Sequence, residues 1–144
     1  MTQAQIQLVQ ESFARLVPSG DDALEIFFSE IFYQRLFDAN PNFKIMFTTN
    51  IAVQGQKLLG MLRMVVTNLE QPEAFLREAK ALGVKHLDYG VKNMDYNAVG
   101  AALIWTLEAT LVEDFTSEVR EAWVKAYTLL ADTMTKAASA HSEF

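Results

Sequence analysis

The sequence predicts an all-α domain, and three observations predict it. Apolar residues recur at three- and four-residue spacing in every long segment, the period of a helix that buries one face. No stretch alternates apolar with polar residues as a half-buried strand would. Proline- and glycine-bearing breaks punctuate the chain without opening a long linker. With 144 residues, 51% of them hydrophobic, the chain suits one domain with a sizeable core, taken as residues 1–144 with a frayed tail from about 139.

Each helix can be justified in order. Thr2 with Gln5 makes a capping box, and Ile6, Val9, Phe13 and Leu16 follow at helical spacing up to Pro18-Ser19-Gly20. Asp21 or Asp22 caps the next helix, whose Leu24, Phe27, Phe28, Ile31 and Phe32 form a wide apolar stripe. Asn40-Pro41 breaks it, because a proline disfavours helix in the residue before it yet suits a new first turn. A short helix from Pro41 to about Met46 and a loop through Phe47-Thr48-Thr49-Asn50 come next. From Ile51 to Leu69 one face carries Gln54, Lys57, Leu58, Met61 and Val65, and an adjoining face carries Leu59, Leu62, Val66 and Leu69. Pro72 to Leu87 reads as a helix stopped by Gly90. Val99, Leu103, Leu107 and Leu111 then repeat every four residues, with Ala102 and Thr106 beside them. Thr116 or Ser117 caps a last helix bearing Val119, Trp123, Tyr127, Leu130 and Met134. The expectation is seven to eight helices.

Composition removes several function classes. The chain has no cysteine, which excludes a disulfide framework, a cysteine-ligated zinc or iron–sulfur site and covalent C-x-x-C-H attachment. A net charge of −6 and an acidic pI of about 4.8 leave no basic stripe to neutralise phosphates, so no nucleic-acid partner is expected. No run approaches the eighteen apolar residues of a membrane span. The N-terminal Met-Thr-Gln-Ala-Gln-Ile lacks the basic start and apolar block of a secretory leader, and the expected location is cytoplasmic. There is no Ser/His/Asp set, no phosphate-binding glycine loop and no zinc motif.

One candidate for chemistry stands out. His86 is one of two histidines, and the other, His141, lies in a Ser/Ala-rich tail. A neutral imidazole is the commonest metal ligand, although a lone histidine near a helix end is ordinarily a cap or a half-buried core residue. Position alone does not decide between these.

A resemblance bears on the choice. Phe32-Tyr33 with Leu36-Phe37, Asn40-Pro41 followed by Phe47, and Gln54-Gly55-Gln56-Lys57-Leu58 occur in the order and spacing of the globin family. Lys85-His86 with Tyr89-Gly90-Val91, Tyr96 with Val99-Gly100, Phe115-Thr116, Ala122-Trp123 and Ala126-Tyr127 continue the match over almost the whole chain. The chain resembles bacterial single-domain globins, which are related to the haem domain of flavohaemoglobins. That resemblance implies the globin fold, with helices packed around a non-covalent haem b.

It also implies roles. His86 would be the proximal iron ligand, its second ring nitrogen donating to a backbone carbonyl near Leu82. Phe47 would wedge against the porphyrin. Tyr33 and Gln54 would form the distal pair, a phenol and an amide donating to the bound gas. An ungapped match to flavohaemoglobins puts Lys57 at the Gln54 position. Gln54 is preferred because Leu58 and Met61 then line the haem from the same face, leaving Lys57 to reach a propionate. Leu58, Met61, Leu62, Leu82, Val91, Val99 and Leu103 would form the walls, and Tyr96 matches a proximal tyrosine. Ala138 falls where flavohaemoglobins carry a glutamate that pushes electron density through the imidazole, which puts peroxidase-like or strongly pushed dioxygenase chemistry in doubt.

The expected function is reversible binding of O2, and of NO and CO, for storage or transport. One alternative is nitric oxide dioxygenase activity, which needs a separate electron-donating reductase because no dinucleotide motif is present in the chain. Another is a haem-based gas sensor. A monomer or weak homodimer is expected.

Overall fold

A computed structural model describes the backbone of residues 1–18, 22–45, 51–88 and 93–142, and their side chains except at 44–45, 51–54, 84–88, 93–95 and 138–142. Among the described residues there are six α-helices, two short 3-10 helices and no strand. They are α1 (Gln3–Leu16), α2 (Asp22–Ala39), a 3-10 turn at Pro41–Ile45, α3 (Ile51–Asn68), α4 (Pro72–Asp88), α5 (Asn93–Leu111), a 3-10 turn at Val112–Asp114, and α6 (Ser117–Ser142). The expected count of seven to eight is met only when the 3-10 turns are included. α6 also continues past Ala138, where the apolar pattern gives out.

Local chemistry sets the helix ends. Thr2 accepts from the Gln5 amide at 3.1 Å while the Gln5 side chain accepts from the Thr2 amide at 3.0 Å, which completes the capping box and satisfies two orphan donors of α1. The Asn40 amide donates to the Leu36 carbonyl at 2.9 Å, and Pro41 then starts the 3-10 turn. At α6 the Thr116 hydroxyl accepts from the Val119 amide at 3.2 Å, so Thr116 rather than Ser117 is the cap.

Packing follows a consistent set of helix pairs: α4 on α6, α2 on α5 and on α3, α1 on α6 and α3, α3 on α4, and α5 on α6. Phe28, Leu36, Leu59 and Leu107 are fully buried at the centre, each contributing about 1.5–3 kcal/mol by removal from water. The α1–α6 pair is keyed by a polar contact inside the core. The Trp123 indole N–H donates to the Ser12 hydroxyl at 2.8 Å, and that hydroxyl donates onward to the Leu8 carbonyl at 2.7 Å.

The α2 stripe needs correction. Leu24 and Phe27 are exposed, 38% and 56%, and the buried line is instead Phe28, Ser29, Phe32, Tyr33 and Leu36. α2 is apolar around most of its circumference, so periodicity could not choose the face. The face is set by packing on α5 and α3. A Cβ built on Gly55 would lie 2.8 Å from the Ser29 Cβ, which shows that the Gly55 backbone packs directly on the Ser29 side chain at the crossing. An Arg63–Glu25 ion pair, partly buried, braces the same crossing.

Candidate functional site

The candidate residues come from four helices. α2 brings Tyr33, one turn beyond the Ser29 crossing, into the core with 4% exposure. Its ring is edge-on to Phe32 at 5.1 Å between centroids and tilted against Phe37 at 5.9 Å, so both faces of its setting are aromatic. Burial pushes the Tyr33 phenol well above its ordinary pKa, because a phenolate there would lose its hydration. The group is therefore a neutral hydroxyl at physiological pH, able to donate.

α3 carries the wall candidates. Leu58 and Leu62 are buried, Met61 is half-buried, and Lys57 is exposed at its outer edge. The position of Gln54 lies in the first turn of α3, next to the Gly55 crossing, and its side chain is outside the described residues. α5 adds Tyr96 and Leu103, both buried, and the half-buried Val99. Tyr96 is tied to α6 at its backbone, where its carbonyl accepts from the Tyr127 hydroxyl. Burial, with the neighbouring Tyr96 adding to it, raises the Tyr127 phenol as well, against a small opposing pull from the Gly100 backbone.

α4 carries His86. Phe75, Ala79 and Gly83 are buried and Leu82 is half-buried, which defines one inward stripe along this helix. The backbone position of His86 continues that stripe, one turn beyond Leu82. At Gly83 a Cβ would lie 2.7 Å from the Met134 Cα and 2.9 Å from its carbonyl carbon, so α4 is seated directly on the α6 backbone. Among the described residues α4 packs against α6 and α3, whereas neither α2 nor α5 is a packed partner. Phe47 and Val91 lie outside the described residues, as do the side chains of His86 and Ala138.

This residue set fits a haem. Iron in haem takes a neutral imidazole, the porphyrin needs apolar walls of the Leu58, Leu62 and Leu103 kind, and an exposed lysine at the rim suits a propionate. No cluster of three or more His, Cys, Asp or Glu suited to a bare metal ion occurs among the described residues.

Comparison with known proteins agrees. The globin family model matches residues 30–134. The chain is a globin. Its family membership implies a haem and small gaseous ligands. Among curated relatives, the flavohemoprotein of Rhizobium meliloti is 32% identical over 106 residues, which is 72% of this globin and 26% of the relative. The flavohemoprotein of Oceanobacillus iheyensis is 33% identical over 104 residues, 70% of this globin and 26% of the relative. This globin therefore spans about a quarter of the length of those relatives. A bacterial globin from Campylobacter jejuni superposes with a TM-score of 0.82 at 22% identity, covering 99% of this globin and 100% of that chain. An engineered carbene transferase from Rhodothermus marinus gives 0.84 at 22% identity, covering 99% and 96%. These two likenesses establish the fold.

Three positions that shape the site escaped the sequence reading. Ser29 and Gly55 set the α2–α3 crossing, and Gly83 seats α4 on α6. Glycines inside helical patterns are the signal that could have found the last two, since a helix tolerates glycine at a cost unless close packing needs it.

Proposed function

We propose that this globin binds dioxygen reversibly, and NO and CO with it, at a haem b whose iron is held by His86. The observation that carries the reading is Tyr33, a phenol with 4% exposure, kept protonated by its burial and set beside the α2–α3 crossing. The haem, when bound, supplies an iron centre with one coordination position open to a small gas.

The chain's own residues do the rest. His86 binds as neutral imidazole through one nitrogen and donates from the other to a carbonyl near Leu82. Tyr33 and Gln54 would donate hydrogen bonds to the gas, Phe47 would wedge against the porphyrin, and Leu58, Met61, Leu82, Val91 and Val99 would wall the haem. Lys57, exposed on α3, reaches a propionate. A hydrogen bond to a partner carrying charge is worth about 1.5–3 kcal/mol, so Tyr33→Phe should speed oxygen release about ten- to hundredfold in stopped-flow measurements. An unchanged off-rate would remove Tyr33 from the binding site.

A second reading is favoured by the flavohemoprotein relatives. In it the same site would combine NO with dioxygen to give nitrate, with one electron per turnover supplied by a separate reductase in the cytoplasm. Sustained NO consumption with an added flavin reductase, absent without it, would support this reading over simple binding.

A further inference from the structure

The charge of this chain is unevenly spread. Residues 39–69 contain neither Asp nor Glu, although the chain has 18 of them, and they carry Lys44, Lys57 and Arg63. The remaining residues set 18 acidic groups against nine basic ones, a formal charge of −9. A second acid-free run, residues 79–87, carries Lys80 and Lys85. The fold brings the two runs together. The first spans the Pro41–Ile45 turn and α3, the second lies in the later part of α4, and α3 packs on α4. Three residues join the two helices, so both run back from a common turn. At about 1.5 Å per residue, Lys57 on α3 and Lys85 and His86 on α4 all stand about 16–21 Å from that turn. These two lysine positions and the candidate iron ligand share one end of the pair.

The outer face of α3 is bare as well as acid-free. Gln56, Lys57, Gly60 and Thr67 are exposed along it. Arg63 is paired with Glu25, but neither Lys57 nor Lys80 belongs to an ion pair among the described residues. Gly60 has no explanation inside the chain. A glycine within a helix costs about 0.8–1 kcal/mol against alanine. At Gly55, Gly83 and Gly100 a Cβ would meet Ser29, Met134 and Tyr127, whereas at Gly60 nothing lies within 4 Å. The helix is left low at an exposed point, where the surface of another molecule can come close.

We propose that this face of α3, at the open end of the α3–α4 pair, is where an acidic electron-donor protein docks. The proposal rests on the reading that His86 holds a haem. The step it serves is the transfer of one electron, which the donor's reduced cofactor loses and the haem iron gains, with no bond made or broken. Charge selects the occupant. Three cations in a stretch of 31 residues are too few to neutralise a nucleic-acid backbone, yet enough to orient a protein encounter. The −9 carried elsewhere repels an acidic partner from other approaches, so the field fixes where contact is made as well as its sign. The contact is of the small, transient kind usual for electron transfer.

The probe is an acidic flavodoxin in its hydroquinone state, mixed in stopped flow with haem-loaded protein at ionic strengths of about 0.02–0.5 M. Dithionite reduction of the same sample comes first. It shows whether the haem is bound and reducible, so a failure of that reading appears there and not as a failure of docking. The second-order rate with flavodoxin should fall about tenfold or more as salt rises, although two net-negative proteins would by themselves give a rising rate. At low salt Gly60→Glu should be about threefold slower, and Gly60→Lys about threefold faster, than Gly60→Gln, and the three should converge at high salt. Lys125→Glu, on α6, should stay within about twofold of the native rate at ~0.1 M salt. Titration with oxidised flavodoxin reads docking without electron transfer, and the amide shifts should centre on residues 56–67 of α3. A rate that rises with salt overturns the proposal. So does a Gly60 series without that order of charge, or a set of amide shifts centred on another face.

Discussion

Replacing Gly83 by alanine should loosen the seat of the histidine-bearing helix, and a second glycine provides its control. Both Gly83 in α4 and Gly60 in α3 are interior to helices, where alanine is ordinarily better by about 0.8–1 kcal/mol. Their surroundings differ. The alanine methyl at Gly83 would stand 2.7 Å from the Met134 Cα, 2.9 Å from its carbonyl carbon and closer still to the carbonyl oxygen, whereas ordinary contact begins at 3.4 Å. Those neighbours are backbone and cannot rotate away, so α4 and α6 must part by about 1 Å, an overpacking cost of about 1–3 kcal/mol. Set against the helix gain, Gly83→Ala should destabilise the fold by up to about 2 kcal/mol. At Gly60 nothing lies within 4 Å, so only the helix gain remains and the change should stabilise by about 0.5–1 kcal/mol. At this chain length about 1 kcal/mol moves the melting temperature by about 3–5 °C, so the two variants should melt on opposite sides of the native protein. His86 lies one turn beyond Gly83, so Gly83→Ala should also release haem faster than the native chain, and Gly60→Ala should not. Equal stabilisation by both alanines would refute the close seating of α4 on α6.

Two other outcomes follow from groups inside the core. Ser12→Ala should cost about 1–3 kcal/mol in urea unfolding, because it leaves the buried Trp123 N–H without its acceptor, and adding Trp123→Phe should cost less than the sum of the single changes. Tyr33 and Tyr127 both have native pKa values raised above the ordinary 10.0, so the unfolded chain loses those protons first as pH rises. Their contribution is complete below about pH 10 and declines above it, by up to about 1.4 kcal/mol per pH unit for each, visible as a falling urea midpoint with two tyrosines still un-ionised in the ultraviolet spectrum. Flat stability through that alkaline range would mean that the two phenols are not buried as described.

How far the sequence disclosed this structure depended on the kind of signal. Caps and breaks are local, and Thr2 with Gln5, Asn40-Pro41 and Thr116 stand where the sequence put them. The periodic faces of α3 and α6 were legible because charged residues interrupt their apolar stripes. α2 was not, since Leu24, Ile26, Phe27, Phe28, Ile31 and Phe32 spread over most of the circumference of its first three turns, and one contact that orients it runs through Ser29, a small polar residue that no hydrophobic pattern selects. At the site, His86 was conspicuous through rarity alone. Tyr33 was one buried aromatic among many until the resemblance singled it out, and its burial is what the structure adds.

The central claim is that His86 holds the haem iron, and a spectrum tests it most directly. Haem-loaded protein should be recorded in the ferric state, after reduction, and after exposure to oxygen, with His86→Ala treated in parallel. The native protein should give a histidine-ligated ferrous spectrum that converts to a stable oxygenated form. Both should be lost in His86→Ala, and added imidazole should restore the ligation. A variant that keeps the native spectra and holds haem as tightly as the native chain would contradict the account.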